Sequence, residues 1–398
     1  MYSDIVNEFQ MSGHTVLPMA PIIAGSSKSN ISLENGIEVL RVKTYDVFSK
    51  NILKKGLANL HLSYQFTKAY LSFWNKKPID MIIVATPSIM FADFVVYVKK
   101  RKLAKVYLMQ KDIFPQNAVD LGLIKKKSLI YNFFRKNELK LLETADVIGL
   151  TSPGNIKYFS DNYLFLNKEK FQLLYNSSKL FTPDKDSHTS KPHHLKDKFL
   201  VVFGGNMGKP QQLGNVLILA KKCSKLRNVV FLIIGKGTEV EELKHATKKL
   251  EINNIEFIDS VPREAYFELL SNCNIGLISL NQNFTVPNTP MKLNDYLNAG
   301  IPVLASIDRA TDLGDLLVQN KMGLYAYADS MDDLFRNFMT LYQDEELCMR
   351  MGRNGYDFCL KNLSVEKACQ DIMQHIEGLN SRIKCKKTVK DFVRSSVT

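Results

Sequence analysis

The sequence predicts an α/β protein with two Rossmann-like domains that face each other across a cleft. Two observations support this prediction. β-rich runs alternate with amphipathic segments through both halves of the 398-residue chain, and a polar, proline-containing segment interrupts the alternation near the middle. Alternating strands and helices favour parallel sheets covered on both faces. The chain is long enough for two separate cores.

The strand candidates are short apolar runs bounded by polar or glycine-containing turns. In the first half they are residues 36–42, 80–86, 105–110, 146–152 and 171–176. In the second half they are residues 199–205, 229–237, 255–261, 274–280 and 301–307. We therefore predict an N-terminal domain at 1–180, a linker at 181–198, a C-terminal domain at 199–380 and a basic tail at 381–398.

The charge of the chain is unevenly distributed. The net charge is +13, and residues 1–185 hold 26 Lys and Arg against 15 Asp and Glu. The first half is therefore expected to meet a negatively charged partner: nucleic acid, an anionic membrane or a phosphorylated substrate. No apolar run is long enough to span a membrane. None of the six cysteines forms a CxxC pair, which favours a reduced cytoplasmic setting without a cysteine metal site.

Residues 201–214, VVFGGNMGKPQQLG, predict a loop that holds an anion after the first strand of the second domain. Glycines at 204, 205 and 208 let the backbone approach a ligand closely. A helix starting near Pro210 would direct free N–H groups at the same place. The loop matches neither GxxxxGK[ST] nor GxGxxG, so a nicotinamide or flavin cofactor is poorly supported. A tight strand–helix turn without a ligand is the alternative.

At this point the chain resembles the retaining family 4 of GT-B glycosyltransferases, most of all bacterial transferases that assemble O-antigen and capsule, including those handling acetamido sugars. The resemblance covers about nine tenths of the chain, and the joint order of its segments is more specific than any one motif. The segments are QKDIFPQNAVDLGLI (110–124), GGNMGKPQQL (204–213), FLIIGKGTEVEELK (231–244), IEFIDSVPREAYFELLSNCNIGLISL (255–280) and PNTPMKLNDYLNAGIPVLAS (287–306).

The resemblance implies that the second domain binds a nucleotide-sugar, expected to be a UDP-sugar, without a metal or another cofactor. Asp295 matches the carboxylate that holds the ribose, where glutamate is usual. The family's preceding glutamate falls at Pro287, so Thr285, Asn288 and Thr289 are its nearby substitutes. The expected donor-binding residues are Gly204, Gly205, Asn206, Gly208, Lys209, Gly235, Val261, Thr289, Pro290, Met291, Lys292, Leu293 and Asp295.

The expected catalytic residues are Lys292 and Asp112. Lys292 and the loop amides would stabilise the departing diphosphate. The family resemblance implies that this diphosphate helps to deprotonate the incoming hydroxyl. Asp112 in KDIFPQ is the candidate that orients or deprotonates the acceptor, and a helix N-cap or turn residue is the alternative. The DxD of Asp184–Asp186 falls in the linker and is expected to be solvated loop.

Other ionisable residues are expected to be structural or solvated. Glu138 is similar to an acidic position of related chains, but a solvated helix face is the expected account. His14 is expected to be structural, and His193 and His194 lie in the linker and are not expected to bind a ligand.

The resemblance also implies a polyprenyl-diphosphate-linked acceptor, which fits the basic first half. Residues 51–77, 97–107 and 122–140 combine lysines with Leu, Phe and Tyr. Such stretches suit the headgroup region of an anionic membrane, so we expect a peripheral protein on the inner face of the plasma membrane. Core-packed helices with a solvated basic face are the alternative. No RRM, KH, zinc-finger or helix-turn-helix pattern supports nucleic acid as a partner.

Two rival functions share the expected fold: a sugar-nucleotide epimerase and a degenerate, non-catalytic transferase. A further expectation concerns residues 1–16, which read as the helix that leads to the family's second strand. The first domain would then lack its opening strand, and we expect either an upstream start or an inactive or partly unstable product.

Overall fold

The computed structural model describes residues 2–22, 28–46, 52–181 and 193–379, without the side chains of 52–57 and 193. The Asp184–Asp186 motif and the basic tail at 381–398 lie outside the described residues. Within them the predicted fold class is confirmed, because parallel sheets alternate with helices in both halves of the chain.

The first half forms two sheets with helices packed around them. Its strands are β1 (Met19–Pro21), β2 (Asn30–Glu34), β3 (Ile37–Val42), β4 (Met81–Ala85), β5 (Lys105–Gln110), β6 (Val147–Leu150) and β7 (Phe171–Leu173). Its helices are α1 (Tyr2–Met11), α2 (Ile52–Phe73), α3 (Ala92–Lys102), α4 (Gln116–Asp120), α5 (Leu129–Thr144) and α6 (Pro153–Asn162). The sheet orders are β1-β3-β2 and β4-β5-β6-β7, and the latter is parallel throughout.

The strands β1 and β2 are absent from the sequence prediction. β2 pairs antiparallel with β3, and Asn35 and Gly36 form the turn with φ of 50° and 78°. Asn-Gly is the pair that favours this left-handed hairpin turn, so a local signal for β2 was present. Among the described residues, β1 and β4 are edges of two separate sheets rather than neighbours in one.

The second half forms one parallel sheet of six strands, in the order β10-β9-β8-β11-β12-β13. The strands are β8 (Phe199–Asn206), β9 (Val229–Lys236), β10 (Ile255–Ile258), β11 (Ile275–Ser279), β12 (Val303–Ile307) and β13 (Gly323–Tyr327). The helices are α7 (Gly214–Lys222), α8 (Val240–Lys249), α9 (Arg263–Leu270), α10 (Lys292–Asn298), α11 (Leu313–Gln319), α12 (Met331–Gln343), α13 (Glu345–Asn362) and α14 (365–379).

Apolar residues on both faces of these strands build two cores. In β8, Leu200 and Val202 face one core while Val201 and Phe203 face the other, and all four are at most 2% exposed. A strand buried on both faces reads as a continuous apolar run, which is why the sequence located it. The short edge strand β13 lacks such a run and was not predicted.

The helix α14 returns to the first half of the chain. Its buried residues pack with Tyr107, Met109 and Val147 of the β4–β7 sheet and with Ile5 and Phe9 of α1. The Tyr107 hydroxyl also lies 3.0 Å from His375 Nδ1. The last described helix therefore joins the two halves, although it falls inside the range predicted for the second domain.

Candidate functional site

The carboxyl ends of the two main sheets face each other across an interdomain cleft. From the second half, the Thr285 backbone N–H donates to Asp120 at 2.8 Å, and the Thr289 carbonyl accepts from Asn176 Nδ2 at 2.8 Å. Ser152 after β6 donates to Asp312 at 2.7 Å. In parallel sheets ligands bind outside the carboxyl ends of the strands, so a ligand site is expected in this cleft.

The glycines at the carboxyl ends of β8 and β9 permit a close backbone approach. Gly205 and Gly235 are paired in the sheet and have φ of 123° and 137°. A Cβ on Gly235 would lie 2.0 Å from the Gly205 carbonyl oxygen, and one on Gly204 would lie 1.9 Å from the Tyr266 hydroxyl. Gly204 and Gly235 therefore have packing reasons to be glycine, whether or not they also contact a ligand.

The helix expected near Pro210 begins later. Residues Lys209–Gln211 form one turn of 3₁₀ helix, and the α-helix starts at Gly214. Gln212 between them is left-handed, with φ of 42°, which breaks the helix before it can propagate. The expectation was wrong by four residues, and the loop that precedes α7 is correspondingly longer. Gly205 and Asn206 at the end of β8 are exposed, as is Lys209 in this loop.

Lys292, the first residue of α10, reaches back to this loop. Its side chain is 9% exposed, and its Nζ lies 3.9 Å from the centre of the Phe203 ring and donates a hydrogen bond to Gln211 Oε1. Burial lowers the pKa of Lys292 to about 7, and Asp295 opposes the shift. The ammonium is thus held over the end of β8, where an anionic ligand would recover the energy lost to desolvation.

Asp295 lies one turn further along α10 and is partly exposed. Burial raises its pKa to about 6, and the charges of Arg263 and Lys292 oppose the shift. Among the described residues, none donates a hydrogen bond to its carboxylate. The carboxylate is therefore available to accept hydrogen bonds from hydroxyl groups of a ligand.

The structure spreads the remaining predicted donor residues over the loop after β8, the start of α10 with the residues before it, and the loop after β10. Gly208 and Leu293 are buried, as is Pro290, whereas Met291 is 37% exposed. Val261 is 36% exposed and follows β10, two strands away from β8 in the sheet. Thus only part of the predicted set surrounds Lys292.

Of the three expected substitutes for the family's missing carboxylate, only Thr285 has its side chain engaged in the protein, within the residues that the structure describes. Pro287 is buried. The Thr285 hydroxyl donates to Asp120 at 3.0 Å, and the carbonyls of Asn288 and Thr289 accept from Thr311 and Asn176. The side chains of Asn288 and Thr289 are partly buried, so their polar atoms are the ones left for a ligand.

On the first-domain side of the cleft, Lys111 and Asp112 follow β5. Thr86, after β4, accepts the backbone N–H groups of both residues at 2.8 and 3.0 Å. Burial raises the pKa of Asp112, and the charge of Lys111 opposes this shift. The N-cap of α4 is Pro115, without a side-chain cap, so Asp112 is not a helix N-cap, and a turn residue remains its alternative.

Lys111 is a residue that the sequence reasoning missed. Its Nζ is buried and has no hydrogen-bond partner among the described residues. Burial lowers its pKa to about 8, against the charge of Asp112. The adjacent Asp112 was predicted, so the segment itself was recognised. Nothing in a single sequence shows that the lysine beside it is buried.

The expectation that Glu138 lies on a solvated helix face was wrong. Glu138 is 1% exposed and accepts from Arg135 at 2.6 Å and from the Tyr163 hydroxyl at 2.7 Å. The Arg135 guanidinium also lies 4.7 Å from the Tyr163 ring centre. An arginine three residues earlier on the same helix offsets the cost of burying the carboxylate, so Glu138 is a structural residue.

The aromatic residues of the expected membrane stretch at 51–77 do not all face outward. Trp74 is 1% exposed and packs with Phe66 and Tyr70 in the core.

The ring of His14 packs edge-on against Phe9, with ring centres 5.6 Å apart. Among the described residues, no helix is both long and apolar enough to cross a bilayer.

Comparison with known proteins adds to this geometry. Residues 184–358 match the family model described as glycosyl transferases group 1. Over 337 residues the chain is 22% identical to a probable glycosyltransferase, WbjE, of Pseudomonas aeruginosa, covering 81% of this chain and 80% of that protein.

Two solved structures are similar in fold. Sucrose-phosphate synthase from Thermosynechococcus elongatus gives a TM-score of 0.77 at 13% identity, covering 96% of this chain and 93% of that one. Anabaena HepE in complex with UDP gives 0.64 at 14% identity, covering 86% of this chain and 87% of that one.

The two facing α/β units have the GT-B fold, and residues 184–358 match a group 1 glycosyltransferase domain. The protein is a glycosyltransferase.

Proposed function

We propose that the protein transfers a sugar from a UDP-sugar to a lipid-linked saccharide acceptor, with retention of configuration and without a metal. The observation that carries the proposal is the buried Lys292 ammonium over the glycine loop, one helical turn from the open carboxylate of Asp295. A solved structure of similar fold, HepE, was crystallised with UDP. The proposed setting is O-antigen or capsule synthesis, with an acetamido or deoxy sugar as the transferred group.

The two charged groups of α10 would bind different parts of the donor. Lys292 and the backbone amides near Gly205 would take the diphosphate, because an ammonium and amide N–H groups stabilise charge that grows as the sugar leaves. Asp295 would accept both hydroxyl protons of the ribose, which suits a carboxylate with free lone pairs. Aspartate is one methylene shorter than the family's glutamate, so we expect the ribose to sit closer to α10.

The acceptor hydroxyl would approach from the first domain. Asp112 lies at the carboxyl end of β5, and Thr86 fixes its backbone, so its carboxylate can orient the hydroxyl or take its proton. Burial raises the pKa of Asp112, which increases its affinity for a proton. In this proposal the departing diphosphate shares the deprotonation, as expected for retention without an enzyme nucleophile.

The membrane side of the proposal rests on one exposed surface, which we call the basic–apolar patch. Leu129 is 89% exposed, Leu123 is 61% and Ile130 is 60%. The full patch comprises Leu123, Lys125, Lys126, Lys127, Leu129, Ile130, Phe133 and Lys136, all exposed. Apolar side chains beside lysines suit an anionic headgroup layer, where each lysine contributes about 1 kcal/mol. We propose peripheral binding to the inner face of the plasma membrane.

The donor half of the proposal is tested by titration calorimetry with UDP. Asp295→Ala is expected to abolish or strongly weaken binding, because the ribose loses its acceptor. Asp357→Ala, an exposed aspartate of the same domain, is the control and should bind as the wild type does. A wild-type chain that binds no UDP would refute the proposal. Epimerised UDP-sugar formed without acceptor would instead indicate the epimerase.

The membrane half is tested by flotation with vesicles of phosphatidylcholine alone or mixed with phosphatidylglycerol. We expect binding only to the anionic vesicles, and its loss in Leu129→Ser/Ile130→Ser. Leu164→Ser/Phe165→Ser is the matched control, because Leu164 is 78% and Phe165 is 55% exposed and both lie outside the lysine-rich stretches. Equal loss in both variants would remove the patch from the proposal.

A further inference from the structure

Gln211 lies in the glycine-containing segment 204–213, but the sequence comparison gave this residue no role in the donor site. It ends the 3₁₀ turn Lys209–Gln211 after β8, yet its side chain meets Lys292 of α10, 81 residues away in sequence. The contact joins the glycine loop to the helix that carries Lys292 and Asp295. A side chain that links two site elements is a candidate for more than local packing.

The contact defines which way the carboxamide of Gln211 points. An ammonium can only donate hydrogen bonds, so the atom that faces Lys292 Nζ must be the carboxamide oxygen. Among the described residues, Gln211 Oε1 is the single hydrogen-bond acceptor of this ammonium. The remaining contact is the Phe203 ring at 3.9 Å. Gln211 therefore determines much of where the charge of Lys292 sits.

The other end of the carboxamide is free. Gln211 is partly exposed, and its Nε2 has no hydrogen-bond partner among the described residues. Lys292 also lies next to the loop backbone, because a Cβ on Gly205 would be 3.7 Å from its Cε. An anion above Gly205 would thus meet an ammonium and the two N–H groups of a carboxamide together.

We infer that Gln211 is a donor-site residue, whose Nε2 donates to the diphosphate while its Oε1 positions the ammonium of Lys292. The inference rests on the proposed UDP-sugar donor and adds a residue to that site. A neutral carboxamide suits this place, since it accepts from the lysine and donates to the phosphate at once. Neither a lysine nor a glutamate could make both bonds.

The charged groups around Lys292 matter for the test. Asp295 on the same helix favours the ammonium, and Arg263 of α9 acts on Asp295 in turn. Neither group supplies the hydrogen bond that Gln211 makes. Removing that bond should therefore lower the pKa of Lys292 below its present value, because burial persists without compensation.

The binding experiment compares UDP with uridine, which lacks the diphosphate, for the wild type, Gln211→Leu, Gln211→Glu and Gln343→Leu. Gln343→Leu is the matched control, since Gln343 is exposed at the end of α12. We expect the Kd for UDP to rise about tenfold in Gln211→Leu, as for one lost charge-assisted hydrogen bond. Gln211→Glu should lose at least as much through repulsion, and uridine binding should not change in any variant.

A second measurement follows Lys292 without any ligand. In protein labelled with ¹³C-lysine, the Lys292 Cε resonance assigned by Lys292→Arg is titrated by NMR. We expect its pKa to fall in Gln211→Leu, to rise in Gln211→Glu and to stay in Gln343→Leu. Wild-type UDP affinity in Gln211→Leu, or an unmoved Lys292 pKa, would overturn the inference. A wild type that binds no UDP, with the NMR shifts intact, would instead refute the proposed function.

Discussion

The two faces of the cleft each place a buried lysine beside an aspartate, and they differ in how the lysine is held. In the second domain, Lys292 contacts Gln211 and the Phe203 ring. In the first, the Nζ of Lys111 is buried with no hydrogen-bond partner among the described residues. Burial lowers the pKa of both lysines, to about 7 and about 8.

The difference indicates that the lysine of the second domain is positioned more firmly before a ligand binds than the lysine of the first domain. Lys292 has a fixed position before a ligand arrives, so little reorganisation is needed when a diphosphate binds. Lys111 leaves its charge uncompensated, so its preferred state depends on Asp112 and on what enters the cleft. We therefore expect the donor to bind independently of the acceptor, and the first-domain pair to matter mainly for transfer.

The largest effect that tests this division is expected from Asp112→Asn. The rate of sugar transfer to a lipid-linked acceptor should fall by about 10²–10⁴-fold, because the amide cannot take the proton of the hydroxyl. The Kd for UDP should not change. Transfer assays paired with calorimetry measure both quantities, with Asp93→Asn, an exposed acid of the same domain, as the control. Loss of UDP binding in Asp112→Asn would show that the two faces do not divide the work.

A second test exchanges each lysine for methionine, which keeps the aliphatic bulk. Lys292→Met should raise the Kd for UDP by about 10–100-fold, the effect of a lost charge-assisted hydrogen bond. Lys111→Met should leave the Kd for UDP unchanged. Calorimetry on the two variants measures the contrast, and a similar loss in both would contradict the comparison.

These same residues show which parts of the candidate site could be predicted from the sequence. The family resemblance of the segments at 110–124 and 287–306 suggested Asp112, Lys292 and Asp295, and their roles stay predictions. Lys111 and Gln211 were passed over although both lie inside quoted motifs. Their importance comes from burial and from one contact across 81 residues, and neither can be read from local pattern.

The errors have a related cause. Glu138 was expected on a solvated face because an amphipathic pattern shows which positions are polar, and not that Arg135 and Tyr163 satisfy a buried carboxylate. The strand β2 was missed because it is half exposed and short. In contrast, continuous apolar runs such as β8 and β9 located the core of the second domain correctly.

A smaller effect is expected from pH. If the ammonium of Lys292 binds the diphosphate as proposed, UDP affinity should decrease as pH rises through 7, by up to tenfold per pH unit, because burial lowers the pKa of Lys292 to about 7. Asp295, with a pKa of about 6, should weaken ribose binding as pH falls below 6. Affinity is thus highest between the two values, and calorimetry from pH 5 to 9 maps it.

Lys292→Arg separates the two limbs of that profile. Arginine stays protonated over this range, so the decrease above pH 7 should disappear while the decrease below pH 6 remains. If the upper limb persists in Lys292→Arg, a group other than Lys292 causes it.

The smallest effect concerns how the two faces hold their loops. Thr86 accepts the N–H groups of Lys111 and Asp112, and the Tyr296 hydroxyl accepts the N–H of Gly204 at 3.0 Å. Thr86→Val and Tyr296→Phe each leave buried donors unpaired, which costs about 1–3 kcal/mol. Hydrogen exchange read by mass spectrometry should become at least fivefold faster at residues 111–112 in the first variant and at residue 204 in the second. Thr86 accepts from two amides, whereas the Tyr296 hydroxyl accepts from one and donates to the Leu277 carbonyl at 3.1 Å. The first variant therefore leaves more N–H groups unpaired and should show the larger change in exchange. The opposite order would mean that the backbone at Gly204 is stabilised more by the Tyr296 hydroxyl than the backbone at 111–112 is by the Thr86 hydroxyl.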